Sequence, residues 1–61
     1  MLIIRDTKTG LLYDVEYDKK TDNYLLKQGD TIVKSIYPVR FRAMIYSSKY
    51  KRYDIVADDS N

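Results

Sequence analysis

The sequence contains no cysteine and no histidine. Without cysteine there is no disulfide and no thiolate metal site. Without histidine the usual general base is missing, and a zinc site would have to be built from carboxylates alone, a poor donor set for that ion. No cofactor and no metal are expected. Glycine occurs twice, at Gly10 and Gly29, in separate turns, so no glycine-rich loop can cradle a phosphate. Long apolar runs are missing too. Met1, Leu2, Ile3 and Ile4 are followed at once by Arg5 and Asp6, too short a stretch for a secretory leader. No run approaches the length of a membrane span, so no membrane partner is expected. The lack of cysteine suits a reducing compartment, and the expected localisation is cytoplasmic.

What is present is 61 residues, 44% hydrophobic and 33% charged, a globular composition. A chain this short is one domain, taken as residues 1–57, with an acidic tail at 58–61 expected to fray. Such a domain buries only roughly 60% of the surface its unfolded chain exposes. Its core is small, and self-association or a tight partner is the remaining way to supplement it. A homodimer or partner complex is therefore expected.

The net charge of +2 is unevenly placed. Residues 1–30 hold five cations and six anions, whereas residues 31–56 hold six cations and one anion. That asymmetry predicts a basic surface in the second half.

The punctuation along the chain is that of hairpins. Leu2 to Arg5 suits a short strand, and Asp6-Thr7-Lys8-Thr9-Gly10 suits a turn. Residues 11–18 give the clearest pattern: Leu11, Tyr13, Val15 and Tyr17 alternate with Leu12, Asp14, Glu16 and Asp18. Residues 19–23 form a polar loop, Tyr24 to Lys27 a return strand, and Gln28-Gly29-Asp30 a tight turn. Thr31 to Tyr37, rich in β-branched residues, reads as a further strand that Pro38 must end.

Residues 39–46 fit two periods. Val39, Phe41, Ala43 and Ile45 alternate with Arg40, Arg42, Met44 and Tyr46, as in a strand. Pro38 also suits the first position of a helix, with Phe41, Met44 and Ile45 on one face. The eight-residue alternation favours the strand, and a single helix within 39–50 is the alternative. Tyr53 to Ala57 closes the chain as a strand. The fold expected is all-β, or β-rich α+β: an antiparallel meander of five to six short strands curled into an SH3-like barrel or a bent sheet. The inward set expected is Ile3, Tyr13, Val15, Tyr17, Leu25, Ile32, Ile36, Phe41, Ala43, Ile45 and Ile55.

Little in the chain suits catalysis. Asp14, Glu16 and Asp18 share one strand face and could in principle hold a hard cation or work as an acid–base pair. A solvated face that keeps the sheet soluble explains them more simply. Ser35, Ser47, Ser48 and Ser60 have no histidine to activate them. The chain reads as a non-enzyme.

The basic aromatic segment is the feature with functional content. Arg40, Arg42, Tyr46, Lys49, Tyr50, Lys51, Arg52 and Tyr53 combine cations with flat rings. Cations neutralise phosphates and rings stack on unpaired bases, so single-stranded nucleic-acid binding is one reading. Exposed tyrosine with arginine also marks protein interfaces. There are seven tyrosines, more than so small a core can use. Protein binding therefore leads, with nucleic-acid binding as the alternative. The lean towards Lys, Asp, Ile and Tyr suits an AT-rich bacterial or bacteriophage genome, where small accessory proteins modulate host macromolecules.

Overall fold

The period-two pattern across residues 11–18 does form a strand, and the hairpins on either side of it build a sheet. The computed structural model describes residues 1–59. It contains five strands, β1 (Leu2–Asp6), β2 (Leu12–Asp18), β3 (Asn23–Gln28), β4 (Thr31–Ile36) and β5 (Tyr53–Asp58), and one helix, α1 (Pro38–Tyr46). The strands lie in the order β4-β3-β2-β1-β5. The sheet is open, not closed as an SH3-like barrel would be, which leaves the bent-sheet form of the expectation.

The first two hairpins use the same turn chemistry. In Asp6-Thr7-Lys8-Thr9-Gly10 the Asp6 carboxylate accepts the Lys8 amide at 2.8 Å, and the Gly10 amide donates to the Asp6 carbonyl at 2.8 Å. In Asp18-Lys19-Lys20-Thr21-Asp22 the Asp18 carboxylate accepts the Lys20 amide at 3.1 Å, and the Asp22 amide donates to the Asp18 carbonyl at 2.8 Å. The fifth residue is left-handed in both, with φ of 78° at Gly10 and 63° at Asp22. Asp is among the few non-glycine residues that tolerate this region. The third hairpin has only Gly29 and Asp30 between Gln28 and Thr31, with positive φ at Gly29 alone, as a II′ turn requires.

Topology explains why residues 38–46 are a helix. Every neighbouring strand pair is antiparallel, so β4 and β5, at opposite edges, run in the same direction. Strands that run the same way need a crossover. The connection must traverse four inter-strand spacings of about 4.8 Å, roughly 19 Å. A further hairpin strand beside β4 would leave the sheet face bare, whereas a helix laid across it supplies the second layer of a core. Pro38 stands at the helix start, where its missing N–H costs nothing. Tyr37 before it is extended, at φ −74° and ψ 154°, the conformation a following proline imposes. The strand favoured for 39–46 is thus corrected to a helix.

The core lies between α1 and one sheet face and consists of Ile4, Tyr13, Leu26, Ile36, Phe41, Ile45 and Tyr53. Phe41 stacks on Tyr24 with ring centroids 4.7 Å apart, and Tyr17 meets the edge of Tyr24 at 5.4 Å. Part of the expected inward set moves. Ile4 and Leu26 are buried in place of Ile3 and Leu25, Tyr53 joins the core, and Tyr17, Ile32 and Ile55 are exposed. Ala43 is half-buried on the helix. Ile3, Asp14, Lys27 and Ile32 align across the sheet on the face away from the helix.

Both edge strands are irregular. The register of β4 shifts opposite Leu26 and Lys27, and that of β5 shifts opposite Ile3 and Ile4. Of the expected tail, Asp58 ends β5 and Asp59 pairs with the Met1 ammonium at 2.9 Å, while Ser60 and Asn61 lie outside the described residues.

Candidate functional site

Helical geometry sorts residues 39–46 onto two faces. At 100° per residue, Phe41 and Ile45 point towards the sheet, while Val39, Ala43 and Tyr46 form a ridge on the opposite side. Phe41 and Ile45 are buried, and Val39 and Tyr46 are 71% and 73% exposed. The helix is therefore apolar on both faces. Arg40 and Arg42 flank the ridge, one on each side.

The chain after α1 completes the surface. The Ser47 amide donates to the Ala43 carbonyl at 3.0 Å, the Tyr50 amide to the Ser47 carbonyl at 3.2 Å, and the Arg52 amide to the Met44 carbonyl at 2.7 Å. These bonds hold residues 47–52 against the helix end and bring Tyr50 alongside it. A cleft of about 350 Å³ results, lined by Tyr37, Val39, Arg40, Ala43, Met44 and Tyr50. A shallower one of about 390 Å³ lies on the other flank of the ridge, among Val39, Arg42, Ala43, Tyr46 and Ser47.

The chain that forms this face is basic, and Asp58 of β5 lines a groove together with Arg42 and Tyr46. No Asp or Glu occurs between Thr31 and Tyr53. Arg40, Arg42 and Lys49 form no ion pair among the described residues. Arg40 stands in the first helical turn, which carries no acidic residue and no side-chain cap. A cation there opposes the helix dipole, so this charge does not serve helix stability. The Lys49 ammonium sits 5.4 Å from the Tyr50 ring centroid.

The structure divides the residues singled out from the sequence. Arg40, Arg42, Tyr46, Lys49 and Tyr50 are exposed together. Lys51 pairs with Asp54 at 3.1 Å. Arg52 turns inward. Its Nε and one terminal nitrogen donate to the two Asp6 carboxylate oxygens at 2.8 and 2.9 Å. Tyr53 is 0% exposed and meets the edge of Tyr13, with centroids 6.4 Å apart. Neither Arg52 nor Tyr53 is free to face a ligand. Val39, Ala43 and Tyr37 join the surface instead. Val39 and Ala43 escaped notice because a strand period places both on the buried side.

Two polar groups near this boundary are perturbed. Asp6 is 2% exposed, yet its carboxyl is held well below the usual carboxylate range by the Arg52 hydrogen bonds, helped by the Lys8 and Thr9 amides and opposed by burial. Burial pushes the Tyr53 phenol up, and its hydroxyl has no hydrogen-bond partner among the described residues.

Compared with protein-family models, with curated proteins and with solved structures, the chain matches none. Its chemistry therefore rests on its own side chains. The described residues hold no group of three or more Asp or Glu arranged for a metal ion, and no described helix is long and apolar enough to cross a membrane. Two of the three carboxylates of β2 have local roles. Glu16 pairs with Lys27 at 3.1 Å, and Asp18 accepts the Lys20 amide and the Thr21 hydroxyl in its turn. Ser35 accepts the Asn23 side-chain amide at 3.1 Å. The outer face of α1 combines exposed apolar area with arginines that form no ion pair among the described residues, while Leu11, Leu12, Ile32, Val33 and Val56 are exposed elsewhere, away from the helix.

Proposed function

We propose that this chain is a small non-catalytic binding module, and that the outer face of α1 docks on an acidic surface of a partner protein. The observation that carries the reading is the second apolar face of the helix. Val39 and Tyr46 stand in solvent, with Tyr37 and Tyr50 beside them and, flanking the ridge, Arg40 and Arg42, which form no ion pair among the described residues. Exposed tyrosine, arginine and aliphatic side chains in one patch are the composition of an interface centre.

Charge favours a partner other than a second copy in two-fold pairing. An isologous contact through this face would set its arginines against their own counterparts, and like charges across an interface are costly. An acidic partner removes that cost. A small accessory protein acting on a larger bacterial or phage macromolecule in the cytoplasm suits the size and composition of the chain.

Nucleic acid is the competing reading. With Lys51 and Arg52 engaged in ion pairs, the basic segment is left with Arg40, Arg42 and Lys49 to meet phosphates. Log K for a single strand would then fall with log salt at a slope of roughly −2. Val39 adds nothing to base stacking, whereas it extends an apolar protein contact.

Site-specific photo-cross-linking in cells tests the proposal. A benzophenone side chain at position 46 should give a discrete, nuclease-resistant protein adduct. The same group at position 12, on the bare sheet face, should not. A nuclease-sensitive adduct at 46, or no adduct there, contradicts it.

A further inference from the structure

The cleft beside the ridge narrows what the partner must present. It is lined by Tyr37, Val39, Arg40, Ala43, Met44 and Tyr50. Ala43 gives the cleft its depth, because any longer side chain at that turn of the helix would fill it. The backbone that carries Tyr37 and Tyr50 is held in place. Tyr37 precedes Pro38 and is confined to extended backbone. Tyr50 is bonded back to Ser47, and the Arg52 amide ties the same loop to Met44. A restrained backbone spares part of the ordering cost that a flexible loop would incur. The lining is aromatic and aliphatic apart from one guanidinium, and that guanidinium has no carboxylate of its own chain within the described residues.

We infer that this cleft takes one aromatic or large aliphatic side chain from an acidic, extended segment of the partner, with Arg40 holding a carboxylate beside that anchor. The inference rests on the reading of the α1 face as a protein-docking surface. The flanking arginines set the spacing. A helix with its side chains is about 10 Å across. An extended segment crossing the ridge at about 3.3 Å per residue passes from Arg40 to Arg42 in roughly three to four residues. A matching segment that crosses the ridge therefore carries one acidic residue beside the anchor, at Arg40, and a second about three to four residues further on, at Arg42.

Fluorescence anisotropy with the full chain and labelled peptides tests this. The probes are Glu-Asp-Glu-Phe-Glu-Asp-Glu, the same peptide with Ala in place of Phe, its Lys-for-acid counterpart, and an oligothymidylate. The Phe peptide should bind about tenfold or more tighter than the Ala peptide, as expected for burying a ring. Ala43→Leu should remove that preference, and Arg40→Ala should weaken both acidic peptides. Tyr50→Ala serves as the second cleft variant, and urea midpoints verify that each variant folds. Equal binding of the Phe and Ala peptides, with sensitivity to Arg40→Ala, overturns the anchor and leaves the acidic-partner reading standing. A Phe preference that survives both cleft variants also overturns the anchor site. Absence of binding to both acidic peptides at low salt, or tighter binding of the Lys peptide or the oligothymidylate, overturns both.

Discussion

Asp6 ends β1 with its carboxylate shielded from water and gripped by Arg52, two amides and the geometry of its own turn. The pair fastens the first hairpin to the start of β5, and the Thr7 amide adds a 2.9 Å bond to the Arg52 carbonyl. Asp6→Ala strips the Lys8 and Thr9 amides of their acceptor and breaks the ion pair with the partly exposed Arg52, so it should cost on the order of 2 kcal/mol in urea unfolding. The pH dependence has a fixed sign. The folded-state pKa of Asp6 is depressed, so its stabilisation is fully present above the unfolded value near about 4 and is lost as pH falls below it. Wild-type stability should therefore decline steeply on acidification below that value, and Asp6→Asn should flatten the decline. An acid limb unchanged by Asp6→Asn would contradict this role. Tyr53 makes the opposite case. Its buried hydroxyl lacks a partner, and such a group costs about 1–3 kcal/mol. Tyr53→Phe should leave the urea unfolding free energy unchanged or raise it by up to about 1 kcal/mol, and a clear loss would show that the hydroxyl is paired. Neither role was legible in the sequence. Arg52 lies 46 residues from Asp6, and nothing local separates it from Lys49 and Lys51.

The strand elements were legible because a sheet with one wet face writes a period of two, as in residues 11–18. Turn chemistry was legible for the same local reason, through Asp6, Gly10 and Gly29. The side of burial in β1 and β3 was not, since Ile3 and Ile4, like Leu25 and Leu26, are adjacent and apolar. The helix was obscured by its own surface. Phe41 and Ile45 face in while Val39 and Ala43 face out, and together they imitate alternation. The local rule failed where exposed apolar residues serve something other than the core. Substitution separates the two periods. Phe41→Ala should cost about 3–4 kcal/mol, whereas Val39→Ala should stay within about 0.5 kcal/mol. Comparable losses at both positions would restore the strand. Gly10→Ala tests the turn. A Cβ there meets nothing within 4 Å, so its cost is backbone strain alone, about 1–2 kcal/mol.

At the scale of the molecule, the parallel sense of β4 and β5 forces a crossover, and the crossover covers only one face of an open sheet. That distinction was beyond local patterns, because it depends on β5 pairing with β1 rather than extending the meander. Register shifts in both edge strands blunt the edges against strand addition. The most direct measurement uses the double variant Val39→Glu with Tyr46→Glu and a benzophenone at position 50. Both substituted side chains stand in solvent, so the urea unfolding free energy should stay within about 1 kcal/mol of wild type. The added carboxylates should abolish the protein adduct formed through position 50. A folded variant that still forms the adduct at wild-type yield, or a variant that unfolds, would contradict a helix that anchors with one face and binds with the other.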